Sequence, residues 1–336
     1  MDDMEWKDIS WKLLDPDVYP HKPQKIHFVQ TQMSLVFLTG EFVYKVKKPV
    51  NLGYLDYSTL EKRLLLCRQE VELNRRLCPD IYLAVVPIVR EGGKLYVEGQ
   101  GKVIEYAVKM KQLPADRMMD VLLLRKQVTE EMVVRVAEKL ADFHRKAETN
   151  ERIAGFGELE IVRQNTEENF IQTKKYIAVS IPESRYRRIK DYTDRFIAAN
   201  AELFRERVKE GKIRDCHGDL HAAHICFPDG VCIYDCIEFN ERFRYCDVAS
   251  EVAFLAMDLD HYGEQVLSQC FVETYVSLSG DKKVLALLDF YKCYRAYVRG
   301  KVESFKLDDP LISAEEKAKA LQDAQGYFEL AESYIH

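Results

Sequence analysis

The spacing of hydrophobic residues in this chain changes once, near residue 113, and that change limits the architectures open to it. Residues 25–47, KIHFVQTQMSLVFLTGEFVYKVK, alternate and are rich in β-branched and aromatic types, with Thr39-Gly40-Glu41 as a turn between two strands. STLEKRLLLCRQEVELNRRL (58–77) reads as a helix capped by Ser58 or Thr59. Short strands follow near 82–89, 93–98 and 102–111, broken by EGGK and EGQG. After LPADR (113–117) the period becomes helical, with Thr129 as a cap within 117–147. Residues 160–210 are polar, helical and rich in Arg and Lys, and from 245 onward the chain is helical except near SLSGDKK. A β-rich first third before a helical remainder predicts an α+β chain of two lobes. The first, residues 1–112, holds a mostly antiparallel sheet and one helix. The second, 113–336, is larger and helical, with a small hairpin around 225–235 and a cleft at the hinge near 110–114.

Composition narrows the function classes. Hydrophobic residues make up 47% and charged residues 31%, a globular balance, and the net charge of −6 gives no broad footprint for nucleic acid or membrane. The opening MDDMEWKDIS is acidic without an apolar run, and no segment reaches the roughly 18 apolar residues of a membrane span. A cytoplasmic chain is therefore expected. Nine cysteines, mostly in apolar surroundings such as ICF and VCIYD, read as reduced thiols rather than a disulfide framework.

One stretch concentrates the chemistry: DCHGDLHAAHICFPDGVCIYDCIEFN, residues 215–240. Asp219 follows a Gly in a tight loop, where a carboxylate can act as base for a substrate hydroxyl. Five residues on, His224 can turn back and hold a metal. Pro228-Asp229-Gly230 is a turn, and VCIYD then delivers Asp235 at the end of an apolar strand. Loop, hairpin and strand end would bring Asp219, His224 and Asp235 to one place. Phosphoryl transfer has these needs: one Asp orients the attacking hydroxyl and a strand-end Asp holds magnesium. It also needs an early-strand lysine steadied by a helix Glu. Lys45 and Glu70 fit, with Lys47 and Glu72 as alternatives.

These features resemble the aminoglycoside phosphotransferase branch of the protein-kinase-like fold. NLGYLDYSTLEKR, DCIEFNERFRYCDVASEVAFLAMDLD and YRAYVRGKV resemble, more narrowly, a bacterial group of uncharacterised phosphotransferase-like proteins. The resemblance runs over roughly residues 30–305. It implies Asp219 as catalytic base, Asp235 as magnesium ligand, Lys45 on the phosphates of ATP, and adenine against the backbone of Met110, Lys111, Gln112 and Leu113. The partners it implies are a nucleotide and a small-molecule acceptor. Two departures stand out. The family has Asn where this chain has His224, and imidazole suits softer metals than magnesium. QTQMS (30–34) occupies the phosphate-loop position without a glycine. Some members of the narrower group carry a C-terminal P-loop ATPase domain; the G-x-x-x-x-G-K-[ST] motif does not occur in these residues.

Competing readings remain at this level. Cys216, His217, His221, His224 and Cys226 lie close enough in sequence for zinc, but C-x₂-C knuckles are missing. His217 is expected to fix the loop, His221 to face solvent or substrate, and Asp247 to pin the loop from the following helix. Arg295 and Arg299 share a helix face and either pair with acids such as Asp258 or Asp260 or serve an anionic substrate. Three functions compete: a phosphotransferase acting on a small-molecule hydroxyl, a catalytically weak or inactive pseudokinase-like regulator, and a metal-dependent phosphoesterase suggested by GDLH.

Overall fold

A computed structural model describes residues 3–310 and 312–336. The strands in chain order are β1 (His27–Gln30), β2 (Ser34–Leu38), β3 (Phe42–Lys47), β4 (Tyr82–Glu91), β5 (Lys94–Val97), β6 (Lys102–Lys111), β7 (Ile213–Asp215), β8 (Ile225–Cys226), β9 (Cys232–Ile233) and β10 (Tyr245–Asp247). The helices are α1 (Asp3–Lys12), α2 (Leu60–Arg75), α3 (Met119–Leu124), α4 (Glu130–Lys146), α5 (Glu151–Ala154), α6 (Leu159–Thr173), α7 (Glu183–Ala199), α8 (Ala201–Lys209), α9 (Glu241–Arg244), α10 (Val248–His261), α11 (Gln265–Ser279), α12 (Lys283–Lys306) and α13 (Ala314–Ser333). No helix among the described residues is long and apolar enough to cross a membrane.

The chain forms two compact units. One takes the residues up to Met118 together with Ile225–Glu241; the other takes Met119–His224 and the residues from Arg242 onward. The expected division at 112/113 left the 225–235 hairpin with the helical part, whereas the structure groups it with the sheet. The reason lies in its bonds. Phe227 N–H donates to the Arg117 carbonyl at 3.0 Å, and Arg117 Nε returns a bond to the Phe227 carbonyl at 3.0 Å. Cys232 in β9 is joined by a disulfide to Cys78, just beyond α2. This pair departs from the expectation of reduced thiols throughout. The partners lie 154 residues apart in sequence, so spacing could not reveal them.

In the first unit a six-stranded antiparallel sheet runs in the order β1-β2-β3-β6-β4-β5. Alternation along β3 divides its side chains between two faces. Tyr44 and Val46 join Leu35, Phe37, Ile88 and Ala107 in a core that also takes Ile9 and Leu13, at or just beyond α1. That helix was not anticipated, because MDDMEWKDIS shows too few apolar residues to declare a face. Val43 points the other way, into a core with Cys67 and Val71 of α2. Lys45 and Lys47 follow Val43 at two-residue spacing, so both turn toward α2. Thr59 caps α2 by accepting from Lys62 N–H at 3.3 Å, as Thr129 does for α4 from Met132 N–H.

The second unit is organised around α10, in which every residue from Val248 to Leu259 is buried. A helix buried on all sides is surrounded by other elements, and its buried Glu251 and Asp258 find partners there. Phe254 and Met257 of α10 pack with Phe170, Cys293, Tyr297, Tyr327 and Phe328 from α6, α12 and α13.

The Cys78–Cys232 link closes a loop long enough to stabilise the native state by up to about 5 kcal/mol on loop-closure grounds. A non-reducing peptide map of protein purified without reductant is expected to show the linked peptide. Cys78→Ser is expected to lower Tm and to abolish any further effect of reductant on it.

Candidate active site

The sequence-predicted residues fall into two groups, one in each unit. In the first unit Lys45 Nζ lies 3.0 Å from Glu70 Oε1 and 2.6 Å from Asp235 Oδ1. Lys47 also reaches Glu70, at 2.5 Å from Oε2, so the two lysines share the glutamate instead of competing for the role. Glu72 is exposed on α2 and takes no part. Lys47 is further bonded to Glu238 and, at 3.2 Å, to the Tyr57 hydroxyl. Glu238 escaped the sequence reading. Its one signal was an acid three residues after Asp235 in an otherwise apolar run.

Burial opposes charge on both lysines, but Asp235, Glu70 and Glu238 outweigh it at Lys45, as Glu238 and Glu70 do at Lys47, and both ammonium groups are held well above the ordinary lysine range. Burial likewise raises Glu70, and the two lysines overcome it and keep the carboxylate ionised. Two ammoniums thus face three carboxylates.

Asp235 sits in the left-handed backbone region, at φ 63°. Few non-glycine residues do so, and Asp is among the more tolerant. Its N–H donates to the Tyr82 hydroxyl at 3.1 Å, and the next N–H, of Cys236, donates to Asn74 Oδ1 at 2.9 Å. The hairpin end is therefore pinned to β4 and α2. Its carboxylate is partly exposed, at 38%, beside a Lys45 side chain at 17%.

Two other expected nucleotide contacts are partly engaged already. In Met110–Leu113, Lys111 N–H donates to the Ile81 carbonyl and Gln112 N–H to the Glu41 carbonyl, at 2.9 and 3.0 Å. In the QTQMS turn, the N–H groups of Met33 and Ser34 both donate to Thr31 Oγ1, at 3.3 and 2.9 Å. A hydroxyl thus stabilises the turn that glycines would otherwise permit.

In the second unit β7 leads into Cys216-His217-Gly218-Asp219, with Gly218 at φ 90°. The loop is held by a buried carboxylate. Glu251 of α10 accepts from His217 N–H at 2.8 Å and from Gly218 N–H at 2.6 Å through Oε1. Its other oxygen meets His144 Nε2 at 2.8 Å, and His144 Nδ1 meets the Tyr275 hydroxyl at 2.8 Å. From α12, Arg295 donates to the Gly218 carbonyl at 3.2 Å. Asp258, two helical turns beyond Glu251, accepts from Ala222 N–H at 2.8 Å. Asp247 does not pin this loop as expected. It caps α10 by accepting from Ala249 N–H at 2.8 Å and binds Arg207 through both oxygens. The carboxylate that can reach the loop lies one helical turn further on.

His217 is fully buried, and its Nδ1 accepts from Asp219 N–H at 3.3 Å. His224 Nδ1 donates to the Asp219 carbonyl at 2.9 Å. His221 is not solvent-facing: it is 7% exposed and packs 4.0 Å from the His224 ring and 5.7 Å from Phe254. Burial pushes the Asp219 carboxyl up, but His221, His224 and Arg299 hold it well below the usual carboxylate range. The two arginines differ. Arg295 is tied to the loop and to Ser250, at 3.1 Å from Oγ. Arg299 lies 3.8 Å from Glu303 and acts on Asp219 through charge. Asp260 pairs with Lys292 at 2.9 Å. The structure thus brings Asp219 and His224 together in one unit, and Lys45, Glu70 and Asp235 together in the other.

Two solved structures overlay the whole of this architecture. A choline/ethanolamine kinase family protein from Mesorhizobium loti matches with a TM-score of 0.53, covering 98% of both chains at 10% identity. The amicoumacin kinase hAmiN, solved with AMP-PNP, Ca2+ and Ami, matches with a TM-score of 0.56, covering 97% of this chain and 93% of its own at 11% identity. The fold is protein-kinase-like. It has the form of these two neighbours, with an antiparallel β unit and a larger helical unit. At this identity the likeness concerns the fold and not the reaction. No protein-family model matches the chain. Uncharacterised proteins of Mycobacterium bovis and Mycobacterium tuberculosis are 32% identical over 307 residues, which is 91% of this chain and 59% of theirs. The chain thus spans about three fifths of the length of these relatives.

Glu251 offers a direct test of the loop's anchoring. Burial raises its carboxyl, but His144, His217 and the Gly218 N–H together bring it down from 4.5 to about 2. A depressed carboxylate stabilises the native state above the unfolded value and loses that contribution as pH falls through the folded one. Between pH 4.5 and 2 this group is expected to account for about 3 kcal/mol of lost stability. In Glu251→Gln that loss is already present at neutral pH, and urea unfolding curves across the window flatten.

Proposed function

We propose that this chain is an ATP-dependent phosphotransferase that moves the γ-phosphoryl group to a hydroxyl of a small molecule. The observation that carries the reading is Lys45 ion-paired at once with a helix glutamate and a strand-end aspartate. Phosphoryl transfer requires a lysine on the phosphates and a carboxylate for their metal, each kept in place by the other residues. Lys45 binds the phosphates, with Glu70 fixing its ammonium. Lys47 and Glu238 keep Glu70 ionised and aligned. The N–H of Leu113 and the carbonyls around it serve the adenine.

Magnesium fits the first group. Asp235 presents a hard, partly exposed oxygen, and the excess of carboxylates over ammoniums suits a divalent cation. When bound there, the ion neutralises phosphate charge. His224 fits magnesium less well, because its donor is an imidazole nitrogen. Asp219 is the base. Its low pKa makes it a hydrogen-bond acceptor that orients the hydroxyl, in keeping with a transfer that depends more on positioning than on early proton removal. Glu251, Arg295 and Asp258 are positioning residues that fix the loop bearing it.

A second reading, nucleotide binding without turnover, draws support from the QTQMS turn, whose amides are partly taken up internally. Incubation with ATP, Mg2+ and a metabolite panel, followed by mass spectrometry, separates the two. The wild type is expected to yield a product heavier by one phosphoryl group. Asp219→Asn is expected to keep nucleotide affinity and lose on the order of 100-fold or more in turnover. Asp235→Asn is expected to lose metal-dependent nucleotide binding. Binding without product across the panel would favour the regulator.

A further inference from the structure

Apart from the residues that carry the proposed reaction, the second unit holds a cavity of about 410 Å3, lined from α4, β7, α11 and the start of α10. That volume falls within the ~300–1,000 Å3 of small-molecule sites. Val248 and Tyr275 line it as buried residues, and Leu278 of α11 lines it while 54% exposed. Three cations, Arg145, Lys212 and Arg214, line it too. Two of its three acids are already paired. Asp281 accepts twice from Arg207 Nη1, at 2.6 and 2.7 Å, and Asp142 pairs with Arg145 and Lys146. Glu138, the third, is exposed on α4. Arg214 is half-buried, and no carboxylate among the described residues pairs with it. Its Nη1 donates to the Ala147 carbonyl at 2.8 Å, at the end of α4, which fixes the guanidinium. Nε and Nη2 bond to no group among the described residues, so one edge of a planar fork is left for an oxyanion. We infer that this cavity binds a small organic anion and that the ligand steadies the loop carrying Asp219. The carboxylate or phosphate head lies on Arg214 and Lys212, and the apolar body lies against Val248, Tyr275 and Leu278.

The link to the loop is a short chain of bonds within the same unit. Tyr275 and His144 both line the cavity. The Tyr275 hydroxyl meets His144 Nδ1 at 2.8 Å, and His144 Nε2 meets Glu251 Oε2 at 2.8 Å. Glu251 in turn accepts from the N–H groups of His217 and Gly218. A ligand packed against Tyr275 and His144 restrains the two side chains that keep Glu251 in place. The bonds from the loop to Glu251 then open less often, with no change in the mean structure required. By linkage, the ordered loop favours the ligand by the same factor. Lys212 can join the head group because Arg207 already satisfies Asp281, which Lys212 meets only at 3.3 Å. The inference concerns binding and loop order, so it stands whether or not the chain transfers phosphate.

The test titrates the full chain with benzoate, phenyl phosphate and uncharged benzyl alcohol in a calorimeter. At least one of the two anions is expected to bind at one site per chain, and benzyl alcohol to bind roughly tenfold more weakly or not at all. The anion that binds tells a carboxylate head from a phosphate head. Arg214→Gln is expected to weaken binding roughly tenfold or more. Leu278→Trp, at an exposed position, narrows the cavity and is expected to abolish binding; it serves should Arg214→Gln fail to fold by circular dichroism. Arg187→Gln, on the exposed side of α7, is expected to bind as the wild type does. At saturation, hydrogen exchange in a peptide across 213–220 is expected to slow at the His217 and Gly218 amides by about fivefold or more. If neither anion binds, or if binding survives Leu278→Trp and a folded Arg214→Gln unchanged, the site is overturned. Equal affinity for benzyl alcohol would overturn the anionic class. Binding that leaves exchange at His217 and Gly218 unaltered would overturn the link to the loop.

Discussion

The hydrogen bonds from His217 N–H and Gly218 N–H to the buried Glu251 carboxylate hold the loop that carries Asp219 in place. A loop drawn into the interior exposes backbone donors to a medium that cannot solvate them, and each left unmet costs about 1–3 kcal/mol. Glu251 answers two of these with one charged acceptor, and charge-assisted bonds are the stronger kind. The carboxylate is affordable in the interior because His144 meets its other oxygen and Tyr275 in turn fixes His144. The same helix supplies Asp258 to the turn that follows, and α12 supplies Arg295 to the carbonyl between them. Asp219 thus owes its position to groups on four helices, α4, α10, α11 and α12, while its own side chain is left to His221 and His224.

The first unit solves a different problem with similar means. Alternation along β3 sends two lysines to the face that α2 covers, where apolar packing would otherwise be expected. Buried ion pairs add little net stability, but losing one partner is costly because the other charge stays behind. The network of Lys45, Lys47, Glu70 and Glu238 is therefore better understood as fixing geometry than as strengthening the sheet. The partly exposed acid beside it is Asp235, paired with Lys45.

A fold shared at 10–11% identity shows what survives when nearly every residue changes. What is shared is an antiparallel β unit and a larger helical unit. The mycobacterial relatives retain far more sequence yet extend well beyond the region matched.

The sequence by itself determined the local elements and singled out the candidate residues. Period two across 25–47, the helical period of 58–77 and the caps Thr59 and Thr129 are local signals, and the structure shows those elements. Lys45, Glu70, Asp219 and Asp235 were legible because each occupies a recognisable place on a strand, helix, loop or hairpin. Only the tertiary structure decided which of them meet. It set Asp235 beside Lys45 and placed the hairpin with the sheet, through bonds to Tyr82, Asn74 and Arg117 that lie far off in sequence. It gave the loop to Glu251 and left Asp247 to Arg207, a choice of one helical turn that spacing alone does not make. It joined Cys78 to Cys232, buried His221 and added Glu238 to the lysines. Periodicity records how a segment presents its faces to water, whereas pairing between buried charges depends on which faces are packed together, and that is fixed only when the whole chain has folded.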